Sequence, residues 1–240
     1  MTSALRPLAS VVGLFAAALL VAGCTAGPGS ETPTSSPAPS ADSVDDQNDI
    51  EAALLDDGRM FAVITLGSST CVPQVDQVTA DGQTVTVTLV DPDESQPCTK
   101  DLAPRASIGA LPEGVDPKSD ITLNVTYGDL TDDVDLDGDP AATGTPGTTT
   151  EFQPSAGWFD DGGLVLLTWG SSSCAPVVES LEGSGNAGTA TFVTDEGQVC
   201  TMDMAPRATL LTFGDDVVED DAPFTLTLVG GGLDDTVEVR

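Results

Sequence analysis

Histidine is absent from all 240 residues. That removes the imidazole base of a serine or cysteine triad and the commonest nitrogen ligand for zinc or copper. Positive charge is almost as scarce: seven Lys and Arg face 39 Asp and Glu, a formal net charge of −32. Phosphate backbones and anionic lipid surfaces repel such a chain, so direct binding to nucleic acid is excluded. Aromatic residues make up 4% of the chain, and no amphipathic helical stripe stands out beyond one potential turn over Asp49 to Leu55. What remains is a chain rich in Ala, Val, Thr, Gly and Asp, a usage typical of high-GC bacteria such as actinobacteria.

The one long apolar run is N-terminal. Arg6 is the sole charge in the first ten residues, and Val11 to Ala22 form a stretch too short to span a bilayer as a permanent helix. Val21-Ala22-Gly23-Cys24 closes it: a branched apolar residue, two small ones and a cysteine. This pattern resembles the lipobox of bacterial lipoproteins. The resemblance covers residues 1–24 and implies that residues 1–23 are a signal peptide and that Cys24 is lipidated as the first mature residue. A two-chain anchor, at ~0.8 kcal/mol per buried methylene, would hold the protein at the extracytoplasmic face of the cell membrane. The chain from Cys24 onward keeps six basic residues against 39 acidic ones, a formal charge of −33. Scattered carboxylates of this kind favour solubility over recognition.

Residues 24–48 are rich in Pro, Ser, Thr and Gly with almost no large apolar side chain, which predicts a disordered stalk. A second such stretch, residues 138–157 with Thr-Gly-Thr-Pro-Gly-Thr-Thr-Thr, predicts a flexible linker between two domains, 49–137 and 158–240. Both Thr-rich stretches are candidate carriers of O-linked sugars.

The two domains are copies. Leu66-Gly-Ser-Ser-Thr-Cys-Val-Pro73 recurs as Trp169-Gly-Ser-Ser-Ser-Cys-Ala-Pro176, and Cys98-Thr-Lys-Asp-Leu-Ala-Pro-Arg105 recurs as Cys200-Thr-Met-Asp-Met-Ala-Pro-Arg207. Short β-rich bursts predict strands over Met60–Leu66, Thr84–Val90, Ala106–Leu111 and Ile121–Tyr127, then Leu164–Trp169, Thr189–Val193, Ala208–Phe213 and Phe224–Val229, with turns at Gly183-Ser184-Gly185 and Gly230-Gly231-Gly232. The expectation is all-β: two tandem small antiparallel β-sandwich repeats, each closed by one disulfide. Four cysteines allow three pairings, and duplication favours Cys71 with Cys98 and Cys174 with Cys200. Loops of about 25 residues would contribute roughly 3 kcal/mol each.

Several motifs carry competing readings. Asp133-Val-Asp-Leu-Asp-Gly138 matches the opening of a calcium loop, yet Gly144 stands where the bidentate Glu belongs, and the second copy has Val237-Glu238-Val239, which reads as a strand. No metal or other cofactor is expected. The Gly-Ser-Ser-Thr/Ser-Cys segments lack a base and a second glycine, so they read as polar turns, not nucleophiles. Asp101 with Arg105 and Asp203 with Arg207 are candidates for a structural ion pair or carbonyl clamp, or for an anion receptor. Trp158, Phe159 and Trp169 read as core packing or as a ligand platform of the carbohydrate-binding kind.

The functional expectation is a membrane-anchored, non-enzymatic lipoprotein that binds or scaffolds an envelope protein or small ligand. The alternatives are an inhibitor or ligand carrier and, third, a hydrolase built on two carboxylates, which composition permits.

Overall fold

A computed structural model describes residues 50–92, 97–195, 197–214, 217–219 and 222–239. The signal peptide, Cys24 and the stalk lie outside them, as does Asp49. Among the described residues no helix is long and apolar enough to cross a membrane.

The chain is all-β. The first copy forms β1 (Glu51–Leu55), β2 (Met60–Gly67), β3 (Gln74–Asp81), β4 (Thr84–Val90), β5 (Ala103–Ala110), β6 (Ile121–Tyr127) and β7 (Leu130–Leu136). The second repeats the series as β8 (Ser155–Asp160), β9 (Gly163–Gly170), β10 (Val178–Ser184), β11 (Ala187–Phe192), β12 (Ala205–Thr212), β13 (Phe224–Gly230) and β14 (Asp235–Val239). Each copy yields a three-stranded sheet, β1-β2-β5 or β8-β9-β12, and a four-stranded one, β3-β4-β6-β7 or β10-β11-β13-β14. All eight predicted strands are present, and both disulfides join the expected cysteines.

Three expectations change. The sheets are mixed, not antiparallel, because β4 pairs with β6, and β11 with β13, in parallel. A parallel pair needs a crossover, and here the crossover is β5 or β12, which runs through the opposite sheet before the chain returns. The winding is therefore that of a β-solenoid, and the copies are not clearly two separate sandwiches. Second, of the turn expected over Asp49 to Leu55, the residues Glu51–Leu55 form strand β1 instead. Its Ala and Leu favour a helix in isolation, but pairing with β2 and burial of Ala53 and Leu55 override that preference.

Third, the linker is packed. The Asp139, Gly144 and Gly147 amides donate to the carbonyls of Pro117, Asp57 and Leu111 at 2.9, 2.9 and 3.0 Å, Ala142 is buried, and Ser155–Gly157 already belong to β8.

Alternation along β2 and β9 explains the layering, since successive side chains leave a strand on opposite faces. Phe61 and Val63 pack under the four-stranded sheet of their copy with Val85, Val87, Leu123 and Val125. Leu164 and Leu166 do the same with Phe192, Phe224 and Leu226. The opposite faces, Ala62 and Ile64 of β2 and Val165 and Leu167 of β9, meet each other together with Ala53 and Leu55. The unbroken apolar runs of both strands are thus buried on two sides. Where β1 meets β8 the approach is so close that a Cβ on Gly157 would stand 2.3 Å from the Leu54 carbonyl oxygen.

Candidate functional site

The two recurring motifs come together at one end of β2 and β5 and, in the second copy, of β9 and β12. Ser68–Cys71 and Ser171–Cys174 are tight turns, closed by the Cys71 amide on Ser68 O at 3.2 Å and the Cys174 amide on Ser171 O at 3.3 Å. The disulfides then hold the second cysteine's strand of chain against each turn, with Cα atoms 5.5 and 5.7 Å apart. Polar turn residues chosen from the sequence therefore serve as turns.

Asp101 and Arg105 engage different partners, and no Asp101–Arg105 ion pair forms. Arg105 opposes Thr65 in the β2–β5 ladder. Its guanidinium is buried and donates from Nη1 to the Cys71 carbonyl at 2.6 Å and from Nη2 to the Leu66 carbonyl at 3.3 Å and Thr65 Oγ1 at 3.4 Å. Arg207 repeats this with Cys174 O at 2.9 Å and Trp169 O at 3.0 Å. Burial pushes the Arg207 guanidinium below its ordinary pKa. Each arginine is a carbonyl clamp that ties a disulfide turn to its strand. The terminal nitrogens of both guanidiniums thus donate to backbone carbonyls, while Arg105 Nε and Arg207 Nε are buried with no hydrogen-bond partner.

The carboxylates work on the outside of the same loops. Asp101 Oδ1 accepts the Ser69 amide at 3.2 Å and the Thr99 hydroxyl. Asp203 accepts the Ser172 amide at 3.2 Å and the Thr201 hydroxyl. Hydrogen bonds from Ser69 and Thr99 hold Asp101 down to about 2, and those from Thr201 and Ser172 do the same for Asp203. Thr99 and Thr201 also link to neighbouring hydroxyls, Thr99 to Ser68 at 2.9 Å and Thr201 to Ser171 at 2.7 Å. Sequence reading found these residues but missed the Thr-to-Asp bond. The signal was there, since Cys-Thr-x-Asp recurs intact.

A third recurrence went unread: Asp56-Asp57-Gly58 and Asp160-Asp161-Gly162, the hairpin turns between β1 and β2 and between β8 and β9. In the first copy Asp56, Asp57 and Gly58 all have positive φ (52°, 54° and 89°), a strained arrangement for two aspartates. Asp56 is buried, which raises its pKa although a Thr150 hydrogen bond and Arg59 oppose the shift. The Arg59 Nη1 lies 3.5 Å from Asp56 Oδ1 and Nη2 3.5 Å from Glu151.

Beside that turn a cleft of about 480 Å³ opens between the copies, lined by Glu51, Asp56, Asp57, Asp135, Asp137 and Glu238 among others. Among the described residues no group of three or more Asp, Glu, Cys or His is placed to hold a metal ion. The Asp133–Gly138 motif is no calcium loop: Leu130–Leu136 is a strand, Val134 and Leu136 face the core, and Asp133 accepts from Asn124 Nδ2 at 2.6 Å.

The aromatic residues pack against one another and against the apolar layers, and Trp158 and Phe159 also line the cleft. Trp158 meets Phe224 edge-on at 5.2 Å, Trp169 meets Phe152 at 5.1 Å, and Phe159 joins the apolar layer between the copies. What the site offers chemically is two duplicated loop platforms braced by disulfides and, at the Asp56 turn, a cleft lined with carboxylates. In comparisons with protein-family models, curated proteins and solved structures, nothing matches this chain.

Proposed function

We propose that this chain is a lipoprotein anchored through Cys24 at the extracytoplasmic face of the cell membrane, where it binds or scaffolds an envelope partner without catalysis. The observation that carries the reading is Val21-Ala22-Gly23-Cys24 at the end of a short apolar run, followed by a Pro, Ser and Thr-rich stretch and then by the duplicated domains. Disulfides suit an exported chain. Architecturally, we read each copy as one sandwich of a three-stranded and a four-stranded layer.

Radiolabelled palmitate fed to expressing bacteria should label the wild-type chain and place it in the membrane fraction. Cys24→Ser should abolish both. Unlabelled wild-type protein recovered from the medium would overturn the anchor. For the binding half, a column carrying the chain should retain envelope proteins that an equally acidic unrelated protein does not, and identical eluates would overturn it.

A second reading, an inhibitor or ligand carrier, is favoured by the rigidity of the twin loops, because pre-ordered loops lose little entropy on binding. Dose-dependent inhibition of an exported protease would select it.

A further inference from the structure

The two disulfide loops share a skeleton but not a surface. In the second copy Val199 and Met202 are fully exposed, at 94% and 104%, and Met204 and Val177 are each 61% exposed. At the matching positions the first copy carries Pro97, Lys100, Leu102 and Gln74. The second copy has therefore replaced a cation and a polar side chain by apolar ones, on a loop that the Arg207 clamp and the Cys174–Cys200 bond hold rigid.

The segments that carry these side chains, 174–177 and 199–204, are tied to each other. The disulfide sets Val199 beside Cys174, whose Sγ is 3.8 Å from the Val199 carbonyl. Val177 pairs through its carbonyl with the amide of Val193, itself 46% exposed, at 2.9 Å. Met202 and Met204 flank Asp203, which is tied to Ser172. Four or five exposed apolar residues thus belong to segments joined in one braced loop cluster. Methionine is well suited to such a surface, because its flexible, polarisable side chain adapts to a partner.

Charge decides what can cover the cluster. From Trp158 to Val239 the sole basic residue is Arg207, whose terminal nitrogens donate to the Cys174 and Trp169 carbonyls, against a surface of carboxylates that includes Glu179, Asp195 and Asp203. A second copy of this chain would bring a like charge to the contact, and anionic lipid would do the same. A cationic polypeptide with apolar side chains meets both demands. We infer that the Val177, Val199, Met202 and Met204 cluster is the docking surface of the second copy for a basic, amphipathic protein segment. The inference rests on the non-catalytic binding role proposed above and names its surface and the chemistry of its partner.

The test uses the full chain with Cys24→Ser, so that lipid does not mask the measurement, and a fluorescent amphipathic peptide of lysine and leucine as probe. A lysine and serine peptide of equal charge is the comparator. The expected result is that the lysine and leucine peptide binds the chain and that Met202→Lys, which installs the first copy's residue at a fully exposed position, weakens it roughly tenfold. Val199→Ser combined with Met204→Ser should weaken it further, while Leu102→Ser in the first copy leaves it unchanged.

Equal binding of the two peptides, or equal binding by wild type and Met202→Lys, would overturn the inference. So would self-association of the chain, or binding to phosphatidylcholine vesicles, that Met202→Lys abolishes in place of peptide binding. Failure of the anchor reading shows separately, as wild-type chain missing from the membrane fraction while peptide binding persists.

Discussion

Arg207 lies against Gly170 so closely that a Cβ on the glycine would stand 2.8 Å from the guanidinium carbon, and Arg105 crowds Gly67 in the same way at 2.5 Å. The clamp therefore needs the glycine as much as the arginine. Gly67→Ala and Gly170→Ala should each displace the guanidinium and leave two carbonyls short of a donor, at a cost of about 1–3 kcal/mol. Urea unfolding of the two variants checks this; unchanged midpoints would show that the arginine simply moves aside.

Arg105→Lys should be nearly as damaging as Arg105→Ala. An ammonium cannot reach the Cys71 and Leu66 carbonyls at once as the planar fork does. Melting temperatures several degrees below wild type in both variants are expected, and full recovery with lysine would contradict the clamp.

Stability should depend on acid through Asp101 and Asp203. Both carboxyls sit at about 2 in the folded chain, below the ordinary aspartate value of 3.8. A depressed folded pKa means the unfolded chain binds the proton first, so the contribution is complete above about 3.8 and is lost as pH falls towards 2. The double variant Asp101→Asn/Asp203→Asn should flatten the loss of stability in that window, measured by denaturant midpoints between pH 5 and pH 2. Asp56 works with the opposite sign: its raised pKa contributes stability below the ordinary carboxyl range that is lost as pH rises.

The two disulfides should differ towards a dithiol. Cys71 is 3% exposed, whereas Cys174 is half-buried. Graded reduction followed by alkylation and mass mapping should find Cys174 and Cys200 modified before Cys71 and Cys98. The reverse order would mean that local opening, not exposure, governs access.

Gly157→Ala should separate β1 from β8, because its Cβ meets a backbone oxygen that cannot swing away. A loss of about 1–3 kcal/mol is expected from strain at so tight a contact, read as a lowered and broadened thermal transition.

How much of this was legible in the chain follows from where each residue's energy lies. Strands such as Thr84–Val90 and Phe224–Gly230 bury every second side chain, so their pattern is written in the sequence. Gln74–Asp81 and Val178–Ser184 are mostly exposed, and they form strands because β4 and β11 offer them hydrogen bonds, which leave no apolar trace. Parallel pairing of β4 with β6 was hidden because it depends on where β5 goes, a property of the whole copy. The Asp-x-x-x-Arg spacing suggested a pair, but Asp101 takes Thr99 two positions before it and Ser69, and Arg105 takes the turn carbonyls; Ser69 and the Cys71 carbonyl lie more than thirty residues away in sequence.

The apolar layer of Ala53, Leu55, Ala62, Ile64, Val165 and Leu167 belongs to neither copy alone. A chain carrying one copy would present half of that layer to water, a sticky sheet face that a twin would cover. The duplication thus encloses within one polypeptide what a single-copy chain could obtain only by meeting its equal. Association that would otherwise depend on concentration is made permanent, and each loop cluster becomes free to change its surface without its sister having to follow.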